Sequence, residues 1–111
     1  MTTKNWRTLT YLPWLSLPLL LISNLILWNR LPENLAVHFD LSGAPNGWIS
    51  KGRSLEFSMA ALLLLLFVST MRLIYKRSRN GEMRAKDLLR HCLSIGVITI
   101  VMLGVLIYNI W

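Results

Sequence analysis

The chain has one cysteine, Cys92, so no intramolecular disulfide can form and cysteine usage says nothing about the redox compartment. Acidic residues are scarce, five against twelve lysines and arginines, which leaves a formal net charge of +7. Charge of either sign is absent from Thr8 to Asn29 and again from Cys92 to Trp111. Those gaps argue against a soluble domain: 111 residues that are 54% hydrophobic and 15% charged would leave much apolar surface in water. The sequence also lacks Gly-x-Ser-x-Gly, His-Glu-x-x-His, a phosphate-cradling glycine loop and an acid pair within an apolar run, so no enzyme is expected. Repeats and low-complexity linkers are absent too.

What remains is hydrocarbon. Each charge-free run reaches the roughly 20 residues that cross a bilayer as a helix. A third run, Phe57 to Met71, is shorter, but Glu56 and Arg72 at its ends can extend their charges to the headgroups. The expected fold is all-α and integral to the membrane, a single domain over 1–111. Its spans lie near 9–28, 55–75 and 92–111, with an ordered extended and turn-rich loop over 29–54 and a basic loop over 76–91. The first run reads as an uncleaved anchor: it is long for a signal peptide, contains Pro13 and Pro18, and is followed by Trp28-Asn29-Arg30 rather than small residues.

Basic residues set the orientation. Two lie in the N-terminal tail (Lys4, Arg7), three in the first loop (Arg30, Lys51, Arg53) and seven from Arg72 to Arg90. Three spans put the tail and the second loop on one side, nine basic residues against three, so that side is expected to be cytoplasmic and the first loop and Trp111 outward. The aromatic residues agree in depth, with Trp28, Trp48, Tyr108 and Trp111 near one boundary and Trp6, Tyr11 and Tyr75 near the other. Arg72, Lys76, Arg77, Arg79, Arg84, Lys86 and Arg90 are expected to meet anionic lipid headgroups, each worth about 1 kcal/mol near the surface. The connection is too tight, with Asn80-Gly81 at its middle, to project a nucleic-acid-binding module.

Within the spans, Pro18 lacks the N–H that would reach the Trp14 carbonyl and should kink the first helix near its middle. Asn24 is the strongly polar side chain well inside a run, and it is expected to bond to a neighbouring helix, with a transport or ligand role as the alternative. Gly96, Ile100 and Gly104 share one face of the last helix, as Ala61, Leu65 and Ser69 do on the second, which suits close helix approach within the chain or between copies.

The first loop carries the chemistry. Leu31-Pro32 should end the first helix, and Leu35 to Asp40 reads as a short extended segment with His38 and Asp40 on one side. Gly43, Pro45 and Asn46-Gly47 supply turns, with Asn-Gly before Trp48 as the hairpin signal, and Ser50 or Ser54 can cap the second helix. His38 and Asp40 are left over from this structural account. They could scaffold the loop or form a recognition surface. A metal site would need more ligands, which Glu33 or Glu56 would have to supply. No metal or other cofactor is expected.

The order and spacing of Leu31-Pro32, Leu35-Ala36-Val37-His38-Phe39-Asp40, Gly43-Ala44-Pro45-Asn46-Gly47-Trp48 and Ser50-Lys51 resemble a family of small bacterial membrane domains of unknown function. The same domain forms the N-terminal part of SdpI-type toxin-immunity proteins. Ala36 replaces the family's usual proline and Asn46 its common aspartate. The resemblance implies an inner-membrane protein that recognises a membrane-active peptide toxin through His38, Phe39, Asp40, Gly43, Pro45, Asn46, Trp48 and Lys51. Two other readings stand beside it: an accessory or assembly subunit of a larger membrane protein, and a small transporter acting as a homo-oligomer.

Overall fold

The structure is a computed structural model and describes residues 5–110; Lys4 and Trp111 lie outside them. Three helical stretches, Trp6–Arg30, Lys51–Asn80 and Ala85–Ile110, are long and apolar enough to cross a membrane, and a two-stranded antiparallel hairpin joins the first to the second.

The first stretch is broken. Helix α1 (Trp6–Tyr11) passes through a 3₁₀ turn at Leu12–Leu15 into α2 (Ser16–Leu27), which ends in a second 3₁₀ turn, Trp28–Arg30. The break expected at Pro18 therefore lies N-terminal to it. Pro13 stands at the start of the 3₁₀ turn, and Pro18 falls in the first turn of α2, where a missing N–H has no intrahelical partner to lose. Leu31 leaves the helix in the extended region, as the residue before Pro32 should.

Strands β1 (Asn34–Phe39) and β2 (Pro45–Ser50) follow. Helix α3 begins at Lys51, four residues before the expected span, because Ser50 takes an extended conformation and its hydroxyl accepts from the Arg53 amide at 3.3 Å. Its 30 residues reach about 45 Å, beyond the roughly 30 Å of hydrocarbon. The basic segment expected to be a loop over 76–91 is mostly helix. Lys76, Arg77 and Arg79 complete α3, where basic side chains suit the negative end of the dipole, and Lys86 and Arg90 belong to α4 (Ala85–Ile110). Only Gly81 to Arg84 connect the two helices, and Gly81 at φ 79° supplies the left-handed cap.

Leu20, Leu62, Leu66, Ile95 and Leu106 form the core between the helices, and Leu31 and Leu35 extend it up to the hairpin. A smaller cluster of Leu73, Met83 and Leu88, flanked by Trp6 and Leu9, closes the opposite end. Large apolar side chains such as Ile26, Leu64 and Ile100 point outward, 65–73% exposed, as lipid-facing positions must.

Candidate functional site

The hairpin is built from its turn. Asp40 accepts from the Ser42 amide at 2.9 Å, the Ser42 hydroxyl at 2.6 Å and the Ala44 amide at 3.0 Å, and Gly43 takes φ 87°. The Ser42 hydroxyl, and then the Ala44 amide, hold the Asp40 carboxyl below its usual 3.8. The reversal thus lies at Asp40–Gly43. Asn46-Gly47, expected to make the turn, sits inside β2 because Asp40 already satisfies the backbone of the earlier one. Gly47 serves close approach instead: a Cβ there would stand 2.8 Å from the Cβ of His38.

Pairing runs Leu35 to Ile49, Ala36 to Trp48, His38 to Gly47 and Phe39 to Pro45, so Val37 and Asn46 are each bulged out of register. The bulges overturn the strict alternation read from the sequence, since Leu35 and Ala36 are both buried and Val37 is exposed. They also place Asn46 Oδ1 against His38, whose Nδ1–H donates to it. His38 and Asp40 consequently have separate partners, and Glu33 turns to Lys51 at 3.9 Å. Among the described residues no three histidine, cysteine or acidic side chains are grouped to hold a metal.

Several predicted loop residues anchor the hairpin. Lys51 Nζ donates to the Trp28 carbonyl at 3.1 Å and lies 4.7 Å from the centre of the Trp28 ring, tying α3 to the end of the first helical stretch. Phe39 meets Tyr108 edge-on at 5.0 Å. Pro45 opens β2 where no ladder donor is needed. Trp48 remains 60% exposed, and Leu41 at the turn is fully exposed.

Asn109, which the sequence reading passed over, docks the sheet. Its Oδ1 accepts from the Ala36 amide at 2.8 Å and its Nδ2 donates to the Ala36 carbonyl at 3.0 Å, as a neighbouring strand would. The signal available was a carboxamide near the end of an otherwise apolar run. Lys51 N–H donates to Glu33 O at 2.9 Å, so 33/51 and 35/49 are the hydrogen-bonded pairs and 36/48 is not. By that alternation Trp48's own amide and carbonyl face away from β1, on the free edge of β2, and no described residue pairs with them.

Beside the hairpin lies an apolar cleft of about 280 Å³, walled by Val37, Ile49, Phe57, Leu20 and Leu106, with Asn24 among its lining. Asn24 does not bridge to another helix as expected. Its Nδ2 donates to the Leu20 carbonyl of its own helix at 2.8 Å, and no described donor meets its oxygen.

Further interhelical polar contacts occur at the opposite end. His91, buried on α4, has Nε2 2.9 Å from the Thr10 carbonyl, which can only accept, so Nε2 carries the hydrogen and Nδ1 faces the Ser69 hydroxyl at 2.6 Å. One imidazole thereby joins all three helical stretches. Trp14 Nε1–H donates to Thr70 Oγ1 at 3.0 Å, and Cys92 sits as a buried-side thiol 3.4 Å from the Leu9 carbonyl. The histidine was visible in the sequence, but which helices it would join was not.

Of the basic residues expected to face lipid, Arg77 stacks on Trp6 at 4.1 Å and Lys76 pairs with the buried Asp87 at 3.6 Å. Arg72, Arg79, Arg84, Lys86 and Arg90 are exposed.

No curated protein and no solved structure matches the chain. Residues 15–67 match the model of a domain of unknown function, DUF1648, and that stretch takes in α2, the whole hairpin and the first half of α3.

Proposed function

We propose that this is a non-catalytic membrane protein whose hairpin faces outward and recognises an extended segment of a partner polypeptide. The observation that carries the reading is the asymmetry of the two strand edges. Asn109 occupies the edge of β1, whereas β2 leaves Trp48's backbone groups unpaired beside its own exposed indole, and Leu41 at the turn is exposed as well. A folded edge with one free side suits strand addition, in which main-chain bonds give affinity and neighbouring pockets give selectivity. The cleft between Val37, Ile49 and Phe57 is such a pocket, apolar and open to one side chain of the partner.

The outward orientation rests on the nine-to-three division of basic residues. The finer form of the reading is SdpI-type immunity, with a membrane-active peptide toxin as the partner. It rests on the resemblance of Leu31 to Lys51 to that family and on the domain match that contains it. Asp40, Gly43 and Lys51 shape the surface, and Asn46, Trp48 and Leu41 offer contacts.

A second reading, an accessory subunit, is favoured by Gly96 and Gly104. Nothing lies within 4 Å of a Cβ built at either, so this small-residue face is unused within the chain.

Crosslinking with mass spectrometry in cells tests the first reading, comparing wild type, Trp48→Ala/Leu41→Ser and a null strain. The double variant removes contacts without touching Asp40 or Gly43. It should keep wild-type abundance and lose a partner captured through residues 41–49. Capture of the same partner by the double variant, or capture only through the Gly96 face, refutes it.

A further inference from the structure

At the end opposite the hairpin, a cleft of about 220 Å³ opens between α3 and α4, lined by Ser69, Arg72 and Lys76 from one helix and Asp87, Arg90 and His91 from the other. Its charge is unbalanced. Three cationic groups face one carboxylate, which leaves two positive charges. Asp87 is buried and holds Lys76 at 3.6 Å, fixing one cation at the wall of the cleft. Arg72 and Arg90 are exposed, and no described carboxylate lies within ion-pair distance of either. His91 and Ser69 are committed to each other, so the floor is rigid and the free donors are the two guanidiniums.

We propose that this cleft binds a phosphate monoester, and that its source is the headgroup of a membrane lipid. A dianion matches the two uncompensated charges, and each guanidinium can grip two oxygens of one phosphate. Depth favours a lipid. Met71, the residue before Arg72, ends the apolar run on α3, and Cys92, two residues after Arg90, begins that on α4. Further into the bundle, one turn from Arg72 and two turns from Arg90, stand Val68 and Val97, more than half exposed, on which acyl chains can lie. This goes beyond diffuse attraction to basic residues, because it assigns the ligand to two helices and to named arginines. It is independent of the reading of the hairpin.

The test uses the full chain in phosphatidylcholine nanodiscs containing a minority of either phosphatidate or phosphatidylglycerol, with bound lipid counted by native mass spectrometry. The protein should retain phosphatidate in preference to phosphatidylglycerol. Arg72→Gln/Arg90→Gln should lower that retention by roughly thirtyfold, taking about fivefold per basic residue. Arg79→Gln/Lys86→Gln removes the same charge from the same end outside the cleft and should lower it less than about fivefold. Equal losses in the two double variants overturn the site in favour of diffuse attraction. Inorganic phosphate, added to lipid-free protein in detergent, separates the sources. If it raises the melting midpoint and phosphatidate is not retained, the lipid source is overturned. If neither phosphatidate nor phosphate binds, the whole proposal is overturned. The arginines have no described protein partner, so loss of fold would not explain a lost signal, and an unchanged midpoint in the unliganded variant checks this.

Discussion

Asn109→Leu should undock the hairpin without unfolding the helices. The substitution keeps the branching and heavy-atom count of the side chain but removes the acceptor of the Ala36 amide and the donor to its carbonyl, bonds of 2.8 and 3.0 Å. Ala36 is 4% exposed, so neither group gains water unless the strand moves. Each buried group left without a partner costs about 1–3 kcal/mol, which for two sets a range of about 2–6 kcal/mol. Displacement of β1 relieves part of this, so the lower end, about 2 kcal/mol, is the expected change in the free energy of local opening. That corresponds to a roughly thirtyfold faster exchange of the Ala36 amide. Hydrogen–deuterium exchange by mass spectrometry on nanodisc-embedded protein reads this directly over residues 34–50. Exchange in the core of α3, around Leu62 and Leu66, is the internal control. An Ala36 amide that exchanges at the wild-type rate in the variant would refute the claim that Asn109 stands in for a strand.

Two further outcomes concern the hairpin itself. Gly47→Ala places a methyl 2.8 Å from the Cβ of His38, and since both atoms are fixed to backbone the strands must part at a cost of about 1–3 kcal/mol; limited proteolysis should cut within residues 37–48 faster, and an unchanged cleavage rate refutes the close approach. Asp40 is depressed below 3.8 in the fold, so its contribution to the turn is fully present above that value and is lost as pH falls through the lower folded value. The Ser42 and Ala44 amide resonances should therefore titrate with a midpoint below 3.8, with no such titration in Asp40→Asn; a midpoint at or above 3.8 contradicts the hydrogen-bonded turn.

How much of this could be read from residues alone depended on whether the signal was local. Two charge-free runs marked the first and last spans because hydrocarbon thickness converts directly into a residue count, and the shorter run from Phe57 to Met71 read as a third only with Glu56 and Arg72 at its ends. Leu31-Pro32 and Ser50, one of two cap candidates beside Ser54, marked helix ends through backbone rules that act within a few residues, whereas Gly81 was expected in the middle of a loop and instead caps α3. The hairpin turn was misplaced because two local signals competed, Asn46-Gly47 and Asp40 with Gly43, and the winner was decided by how many backbone donors Asp40 could satisfy. Bulges at Val37 and Asn46 shift the pairing register between the two strands and leave no trace in a period-two pattern. Asn109 and His91 illustrate the same limit. Each was visible as a polar side chain near the end of an apolar run, but its partners lie 73 and 81 residues away in sequence.

The distribution of those partners has a mechanical consequence. Side-chain bonds between elements gather at the two ends, Asn109 and Lys51 beside the hairpin and His91, Trp14 and Cys92 near the short connection. Between them Asn24 bonds within its own helix, and the helices meet through leucine and isoleucine. In lipid such contacts supply packing but little drive for association, because acyl chains are as apolar as the side chains. The polar ends must then set the register of the helices. They are also far apart: eighteen residues of α4 separate His91 from Asn109, about 27 Å along the axis and beyond the distance at which perturbations couple strongly. A change that frees the hairpin therefore leaves the basic cleft formed, and a change that empties the cleft leaves the hairpin docked. On the two proposals, one chain would present a polypeptide-binding edge on one side of a membrane and an anion-binding cleft on the other, and each can be tested separately.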